Sequence, residues 1–412
     1  MGTAKKPRRL VADEPKKSAP KKSAPKKSAK KDVDEAKHFL DELRALKGKD
    51  DEPFGFLSGD DDLPPLDTPI AEFISTGALA LDKQIGGARG GWPVGRITEV
   101  AAWESVGKST LLDQSLAQVQ RMGGVGALID SEKSRDATYT STLGVDASKL
   151  ITKNVTTIEE TFDAIDRILD VQEKIATLAA RKKGGQPPPL LIVWDSVGGT
   201  PTKAELAGDA DDQHVADAAK AIKRNFRRIA HRIAHLRTAL VVANHFYQDI
   251  GPFASLKTYG GSGLRYFTSL RLWLTRKEQV KIGTTVLGHV VEAKIKKTRV
   301  RAPRPPQEVA LIYGAGFDNS WTLHEWGKQH GLDAKHRWIV ESGSWSYVML
   351  PDGSHEAFQR RFMGLGEVLG RRPDVYAMLA GAYLADGEAP VASEPETTTN
   401  EDDEDGDDEE AP

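Results

Sequence analysis

Residues 96–110, RITEVAAWESVGKST, run an apolar strand into a Gly-Lys loop and then into the first turn of a helix. The loop AWESVGKS (102–109) fits the Walker A pattern Ala/Gly-x4-Gly-Lys-Ser/Thr. A backbone that turns this sharply points successive N–H groups inward, where they cradle phosphate oxygens. A helix opening at Gly107 adds the positive end of its dipole to the same anion. Lys108 then reaches the terminal phosphates and Ser109 ligates Mg²⁺. A structural glycine turn is the competing reading. The strand before the loop and the helix after it favour nucleotide binding.

Charge sets the outer limits of the folded part. Residues 1–31 carry twelve Lys/Arg against two acids and include PKKSA three times in succession (15–29). Residues 388–412 carry twelve Asp/Glu and no Lys or Arg, so the net charge of −3 conceals a polarised chain. Both ends lack the apolar residues that offset ordering entropy and read as disordered. The basic repeat is either a solubilising tail or an arm holding nucleic acid by counterion release. With no cysteine in the chain, disulfides, thiolate metal sites and thiolate catalysis are excluded. No apolar stretch reaches membrane-spanning length. The expectation is a soluble, cytoplasmic protein without a membrane partner.

Between the tails, VDEAKHFLDELRALK (33–47) reads as an amphipathic helix followed by a Pro/Asp/Gly-rich linker. Near-continuous apolar strands then alternate with helices: 97–102, 125–130, 190–195 and 239–244, with helices at 157–180 and 214–237. That alternation predicts a doubly wound, mostly parallel α/β sheet covered on both faces. From about 266 strands dominate, predicting an antiparallel extension. Residues 320–385 read as a small α/β appendage with Trp321, Trp326, Trp338 and Trp345 in its core. The expected organisation is a basic tail (1–32), a helix with linker (33–68), the core (69–318), a small C-terminal domain (319–386) and an acidic tail (387–412).

Ligands of open parallel sheets sit beyond the carboxyl ends of the strands. Four strands here end in the phosphate loop, in Asp130-Ser131-Glu132, in Asp195-Ser196 and in Asn244-His245. Asp195 has the Walker B form and is placed to hold Mg²⁺. Glu132 is the candidate to orient or deprotonate a water. Asn244 and His245 are candidates to sense the γ-phosphate. Tyr139 and Asp136 read either as base contacts or as an ordinary core tyrosine beside a polar turn. The helix at 214–237 has an apolar stripe opposite Lys220, Lys223, Arg224, Arg227, Arg228 and Arg232. Gly-rich segments flank it at 207–213 and 246–263, so the basic face reads as a phosphate-binding track rather than a merely solvated surface.

The block FISTGALALDKQIGGARGGWPVGRITEV (73–100), followed by Walker A, LIDSE, YTSTLGVD, WDSVGGTPTKAE and LIYGAGF, resembles the RecA recombinases over about 70–350. Asn244-His245 followed by Phe-Tyr, and Lys297-Thr298-Arg299, resemble the phage UvsX branch. The resemblance implies a RecA-type P-loop ATPase core with an N-terminal polymerisation helix and a small C-terminal domain. It implies ATP and Mg²⁺ held by the loop Ala102, Trp103, Glu104, Ser105, Val106, Gly107, Lys108, Ser109 and Thr110, with Ser109 and Asp195 on the metal. Glu132 becomes the catalytic glutamate, with Lys108 and His245 beside it. Asp136 and Tyr139 become adenine contacts, in place of the reading as a core tyrosine. Lys297 and Arg299 become the basic pair reaching ATP across a subunit interface. Lys220, Arg227, Gly260, Gly261 and Ser262 become DNA contacts.

The implied activity is DNA-stimulated ATP hydrolysis by a filament on single-stranded DNA that pairs with a homologous duplex, in a bacterial or phage-infected cell, with ssDNA-binding and loader proteins as further partners. A ring motor of the same fold and a non-catalytic ssDNA-binding mediator are the rival readings. Three positions depart from bacterial RecA. Ala102 stands where glycine is usual, so its backbone must avoid positive φ. His245 stands for glutamine and Arg299 for lysine.

Overall fold

The computed structural model describes residues 70, 72–133, 135–182, 185–207, 215–248, 255–331, 337–359 and 361–386. The expected basic tail, the helix at 33–47 with its linker, the acidic tail and residues 208–214 of the first Gly-rich segment lie outside the described residues.

In chain order the first elements are β1 (Phe73–Ile74), α1 (Leu79–Gly86), β2 (Trp92–Pro93), β3 (Ile97–Ala102), α2 (Lys108–Arg121), β4 (Val125–Asp130), α3 (Ala137–Thr142), β5 (Leu150–Asn154) and α4 (Ile158–Ala180). There follow β6 (Leu190–Asp195), α5 (Lys203–Ala207), α6 (Val215–His235), β7 (Thr238–Gln248), β8 (Leu256–Thr258), α7 (Gly261–Phe267), β9 (Leu270–Ile282) and β10 (Thr285–Thr298). The last are β11 (Gln307–Ile312), β12 (Gly316–Asp318), α8 (Asn319–Gln329), β13 (Ile339–Ser342), β14 (Trp345–Met349), β15 (His355–Gln359), α9 (Arg361–Arg371) and α10 (Pro373–Ala385).

The main sheet has the order β12-β11-β10-β9-β3-β7-β6-β4-β5, with β8 paired to β7. From β9 to β5 every pairing is parallel. From β9 to β12 every pairing is antiparallel. Side-chain alternation shows why the parallel strands read as unbroken apolar runs. In β6, Leu191 and Val193 face one cluster while Leu190, Ile192 and Trp194 face another. In β7, Val241 and Ala243 join the first cluster and Leu240 and Val242 the second. Both faces are covered, so neither can be polar. The first face is covered by α2 through Leu111, Leu112 and Leu116. The second is covered by α4 and α6 through Phe162, Ile165, Phe226 and Ile229. The sheet is a doubly wound α/β core with an antiparallel extension, as its alternating pattern predicts.

Residues beyond β12 build a three-stranded antiparallel sheet, β13-β14-β15, and helices α8–α10 around an apolar cluster of their own. Trp326 and Trp338 are buried there, and Trp321 is half-buried against a neighbouring cluster. Trp345 is not a core residue, being 45 % exposed. It opens β14, and alternation along that strand turns Ser346 and Val348 inward instead. No helix among the described residues is long and apolar enough to cross a membrane.

At the centre of the second face the Phe226 ring is fully buried, edge-on to Phe162 at 5.1 Å and stacked on Phe267 at 6.2 Å. Truncating it removes the ring contacts that α6 makes with α4 and α7. Phe226→Ala is expected to cost about 3–5 kcal/mol of stability, read as a lower midpoint in urea unfolding.

Candidate nucleotide-binding site

The register of the sheet places Ala102 beside His245 and Asp130 beside Asp195. The polar residues at the ends of β3, β4 and β6 and within β7 therefore share one edge. Ala102 is buried as the last residue of β3 and does not take positive φ, so a Cβ is accepted there. The left-handed positions of the loop are instead Ser105 (φ 58°) and Gly107 (φ 110°). The left-handed backbone demands glycine at 107, where a Cβ would also sit 2.6 Å from Leu311 Cδ2 and require that side chain to shift.

Lys108, the first residue of α2, is nearly buried. Its Nζ donates to the carbonyls of Ala102 (3.1 Å) and Trp103 (3.0 Å) and lies 3.4 Å from His245 Nδ1. Burial pushes the ammonium below its ordinary value, while Asp195, Glu132 and Glu104 pull it up. Ser109 Oγ donates to Asp195 Oδ2 at 2.8 Å. A hydroxyl and a carboxylate together suit Mg²⁺, a hard cation held by few protein oxygens and completed by phosphate and water. Trp103 is half exposed, edge-on to Phe246 at 5.8 Å, and Glu104 is exposed. Val106 is buried, and Thr110 Oγ1 lies 3.3 Å from the Tyr139 hydroxyl.

The turn after β4 carries Glu132. Asp130 accepts the backbone N–H groups of Glu132 and Lys133, both at 2.9 Å, and so fixes that turn. Glu132 Oε1 accepts from Ser196 Oγ at 2.6 Å and pairs with His245 Nε2 at 3.0 Å. The His245 hydrogen bond, with smaller help from Ser196 and Lys108, holds the Glu132 carboxyl down to about 2 against the opposing effect of burial. Tyr139 is half-buried beside the loop rather than in the core, and Asp136 is exposed and caps α3 by accepting from Thr138 N at 2.7 Å.

Two groups at this edge are absent from the sequence argument. Arg135 Nη2 donates to Asp195 Oδ2 at 2.8 Å, and the same guanidinium pairs with Asp113 of α2. Glu99, fully buried in β3, accepts from Asn244 Nδ2 at 2.7 Å and pairs with Arg271. Asn244 Nδ2 also donates to the Tyr259 carbonyl at 2.7 Å, and Arg271 Nη2 to Thr258 Oγ1 at 3.0 Å. The site edge is thereby tied to the segment after β7. A charged residue inside the apolar run ITEVAA was the available signal for Glu99.

Residues 249–254 of the Gly-rich segment expected at 246–263 lie outside the described residues, and the described parts on either side are strand and helix. The strand runs past Asn244 to Gln248 because Phe246 is buried between Trp103 and Trp273. It then pairs with β8, and Gly260 (φ 91°) and Gly261 (φ 60°) open α7 with Ser262 exposed. Lys220 and Arg227 lie exposed on α6. The basic face of α6 is not one uninterrupted track. Asp166 of α4 pairs with Arg228, and Asp166, Asp170 and Glu173 pair with Arg232.

Lys297 and Arg299 are not brought to the phosphate loop of their own chain. Lys297 stands beside Arg271 and Thr298 beside Leu270, and Leu270 stands beside Thr98, near the amino end of β3. Ala102 at the other end of that strand is roughly 13 Å away at a rise of about 3.3 Å per residue. Lys297 Nζ donates to the carbonyls of Arg265 and Tyr266, and the Arg299 guanidinium lies 5.9 Å from the Tyr266 ring centre. Burial, with Arg299 and Arg271 nearby, pushes the Lys297 ammonium down to about 8.

A carboxyl whose value is depressed in the folded chain contributes stability above its ordinary 4.5 and loses it as pH falls through about 2. His245→Ala removes the largest cause. The Glu132 midpoint is expected to rise toward 4.5 in carboxyl ¹³C NMR titration; an unmoved midpoint would refute the assignment of cause.

The model of the RecA N-terminal domain matches residues 66–318. Protein RecA of Arthrobacter sp. (strain FB24) is 32% identical over 276 residues, 66% of this chain and 72% of that protein. Protein RecA of Paenarthrobacter aurescens (strain TC1) is 31% identical over 309 residues, 74% of this chain and 81% of that protein. Protein RecA of Thermotoga neapolitana is 31% identical over 306 residues, with the same shares, 74% and 81%. A matching family model over the parallel core, relatives over most of the chain, and a P-loop, Glu132 and Asp195 gathered on one sheet edge agree, and the chain belongs to the RecA family of recombination proteins.

Proposed function

We propose that this chain forms a filament on single-stranded DNA, pairs it with a homologous duplex and exchanges strands, with ATP hydrolysis stimulated by DNA. The observation that carries this reading is the separation of the two basic groups within one chain. The phosphate loop lies at the carboxyl end of β3, whereas Lys297 and Arg299 lie near its amino end. Charges so divided serve one nucleotide only when a second copy supplies the missing pair, which makes hydrolysis depend on assembly.

In this reading the backbone from Ala102 to Thr110 cradles the phosphates and Lys108 leaves its carbonyl partners for the terminal oxygens. Ser109 and Asp195 hold Mg²⁺, which when bound neutralises phosphate charge. Glu132, kept ionised by its partners, orients the attacking water, and His245 reports the terminal phosphate to Asn244 and the chain beyond it. Asp136 and Tyr139 face the base. Lys220, Arg227 and the Gly260–Ser262 turn contact the DNA backbone, which suits a protein whose partner strand is read by base pairing. Asn244-His245 and the Lys297-Thr298-Arg299 triplet support a UvsX-like, phage-type branch.

The test is ATP turnover with and without single-stranded DNA in the unaltered chain, Lys108→Ala and Arg299→Ala. Strong stimulation is expected in the unaltered chain, falling by about 100-fold or more in both variants. DNA-independent turnover that survives Arg299→Ala would indicate a ring motor or another ATPase of this fold. Absence of turnover would indicate a binding mediator.

A further inference from the structure

The loop that carries Glu132 also carries a buried cation that the proposed mechanism does not use. Arg135 is about nine-tenths buried, with 11% of its side chain exposed, and its two carboxylate partners, Asp113 and Asp195, are buried more deeply. Its Nη2 donates to Asp195 Oδ2, the same oxygen that accepts from Ser109 Oγ, each at 2.8 Å. The other guanidinium nitrogen pairs with Asp113, which stands one helical turn beyond Ser109 on α2 and also accepts from Thr140 Oγ1 at 2.9 Å. The Nη1 contact with Asp113 Oδ1 is an ion pair without hydrogen-bond geometry, and the guanidinium Nε is buried with no acceptor among the described residues.

We infer that Arg135 is a positioning residue of the metal site: a built-in cation, tethered by Asp113, that compensates the Asp195 carboxylate and raises the divalent-cation concentration needed to load nucleotide. The inference rests on the reading of Ser109 and Asp195 as the metal-holding pair.

The physical argument is local. Asp195 serves a bound metal by presenting negative charge beside the Ser109 hydroxyl. A guanidinium already donating to that carboxylate cancels the charge and repels an incoming divalent cation. It cannot be discharged, because an arginine stays protonated. It cannot easily leave, because Asp113 would then be a buried and unpaired carboxylate. Asp113 is thus the counterweight. It draws positive charge away from Asp195, and its removal turns the whole guanidinium charge onto the metal site. The arrangement also ties α2, the turn carrying Glu132 and the end of β6 together, so the same contact orders three parts of the site before metal arrives.

The experiment is a Mg²⁺ titration of fluorescent ADP binding by the full chain, with folding checked by circular dichroism. Asp113→Asn with Arg135→Gln removes both charges and keeps hydrogen-bonding groups of similar shape. Its Mg²⁺ midpoint is expected about tenfold lower than that of the unaltered chain, the scale on which second-shell partners tune metal affinity. Asp113→Asn alone is expected to shift the midpoint the other way, to higher Mg²⁺. A merely structural salt bridge would lower thermal stability in both variants without opposite shifts in midpoint. Unchanged midpoints, or shifts of one sign, overturn the inference. If the double variant does not fold, the direction of the Asp113→Asn shift decides. Nucleotide binding by the unaltered chain that is indifferent to Mg²⁺ overturns the metal-site reading itself, and the inference with it.

Discussion

An apolar sheet that ends in charges has to keep those charges mutually satisfied, and the site edge of this protein is organised by that constraint. Lys108 is buried with two loop carbonyls for partners, and Asp195, Glu132 and Glu104 oppose the effect of burial on its charge. Asp195 in turn takes Ser109 and Arg135, Glu132 takes Ser196 and His245, and Asp130 takes the backbone of the turn between them. A buried ion is tolerable only with such partners. The cost of leaving any one unpaired fixes the positions of its neighbours, so the site is ordered by electrostatics within the chain itself.

The same constraint explains which features were legible in the sequence. The phosphate loop, Asp195, Glu132 and the alternation of strand and helix in the parallel core follow from local pattern: apolar runs of strand length, a Gly-Lys loop between strand and helix, and a polar residue at each strand end; the order of the strands in the sheet does not. Pairings between distant segments leave no such mark. Arg135 has nothing in its own neighbourhood to distinguish it from a surface arginine; Asp113 and Asp195, which define it, lie far along the chain. Arg228 and Arg232 read as exposed basic residues because their partners, Asp166, Asp170 and Glu173, belong to another helix. Trp345 read as core because tryptophan is large and apolar, whereas the phase of β14 turns it outward. The sequence places the end of β7 at Asn244-His245 because two polar residues there look like a strand terminus, whereas the strand runs to Gln248. Only the burial of Phe246 against Trp103 and Trp273 shows that the apolar alternation continues.

Extending β7 past the site has a mechanical consequence. Asn244 and His245 lie inside a strand that is hydrogen-bonded on to β8, not at the base of a free loop. His245 touches Glu132 and lies near Lys108, while Asn244 holds Glu99 and the Tyr259 carbonyl. Glu99 holds Arg271, and Arg271 reaches Thr258. These hydrogen bonds join the strand that carries Asn244 and His245 to Thr258 and Tyr259, the residues that lead into the Gly260–Gly261 turn.

The direction of assembly in the proposed function follows from the same sheet. With the phosphate loop at one end of β3 and Lys297 and Arg299 near the other, the surface offering charge and the surface needing it are different surfaces of one chain. Such a contact is heterologous: each copy presents one surface to the copy ahead and the other to the copy behind. Repeated without closure, it generates a helix rather than a dimer. The partners of Lys297 are consistent with that arrangement. Among the described residues its Nζ donates to the carbonyls at the end of α7, and burial with Arg299 and Arg271 nearby outweighs the Glu99 carboxylate and leaves its ammonium depressed to about 8. A phosphate from an adjoining copy would raise that value again. Nucleotide, subunit contact and the α7 turn proposed to meet DNA would then share a single electrostatic balance.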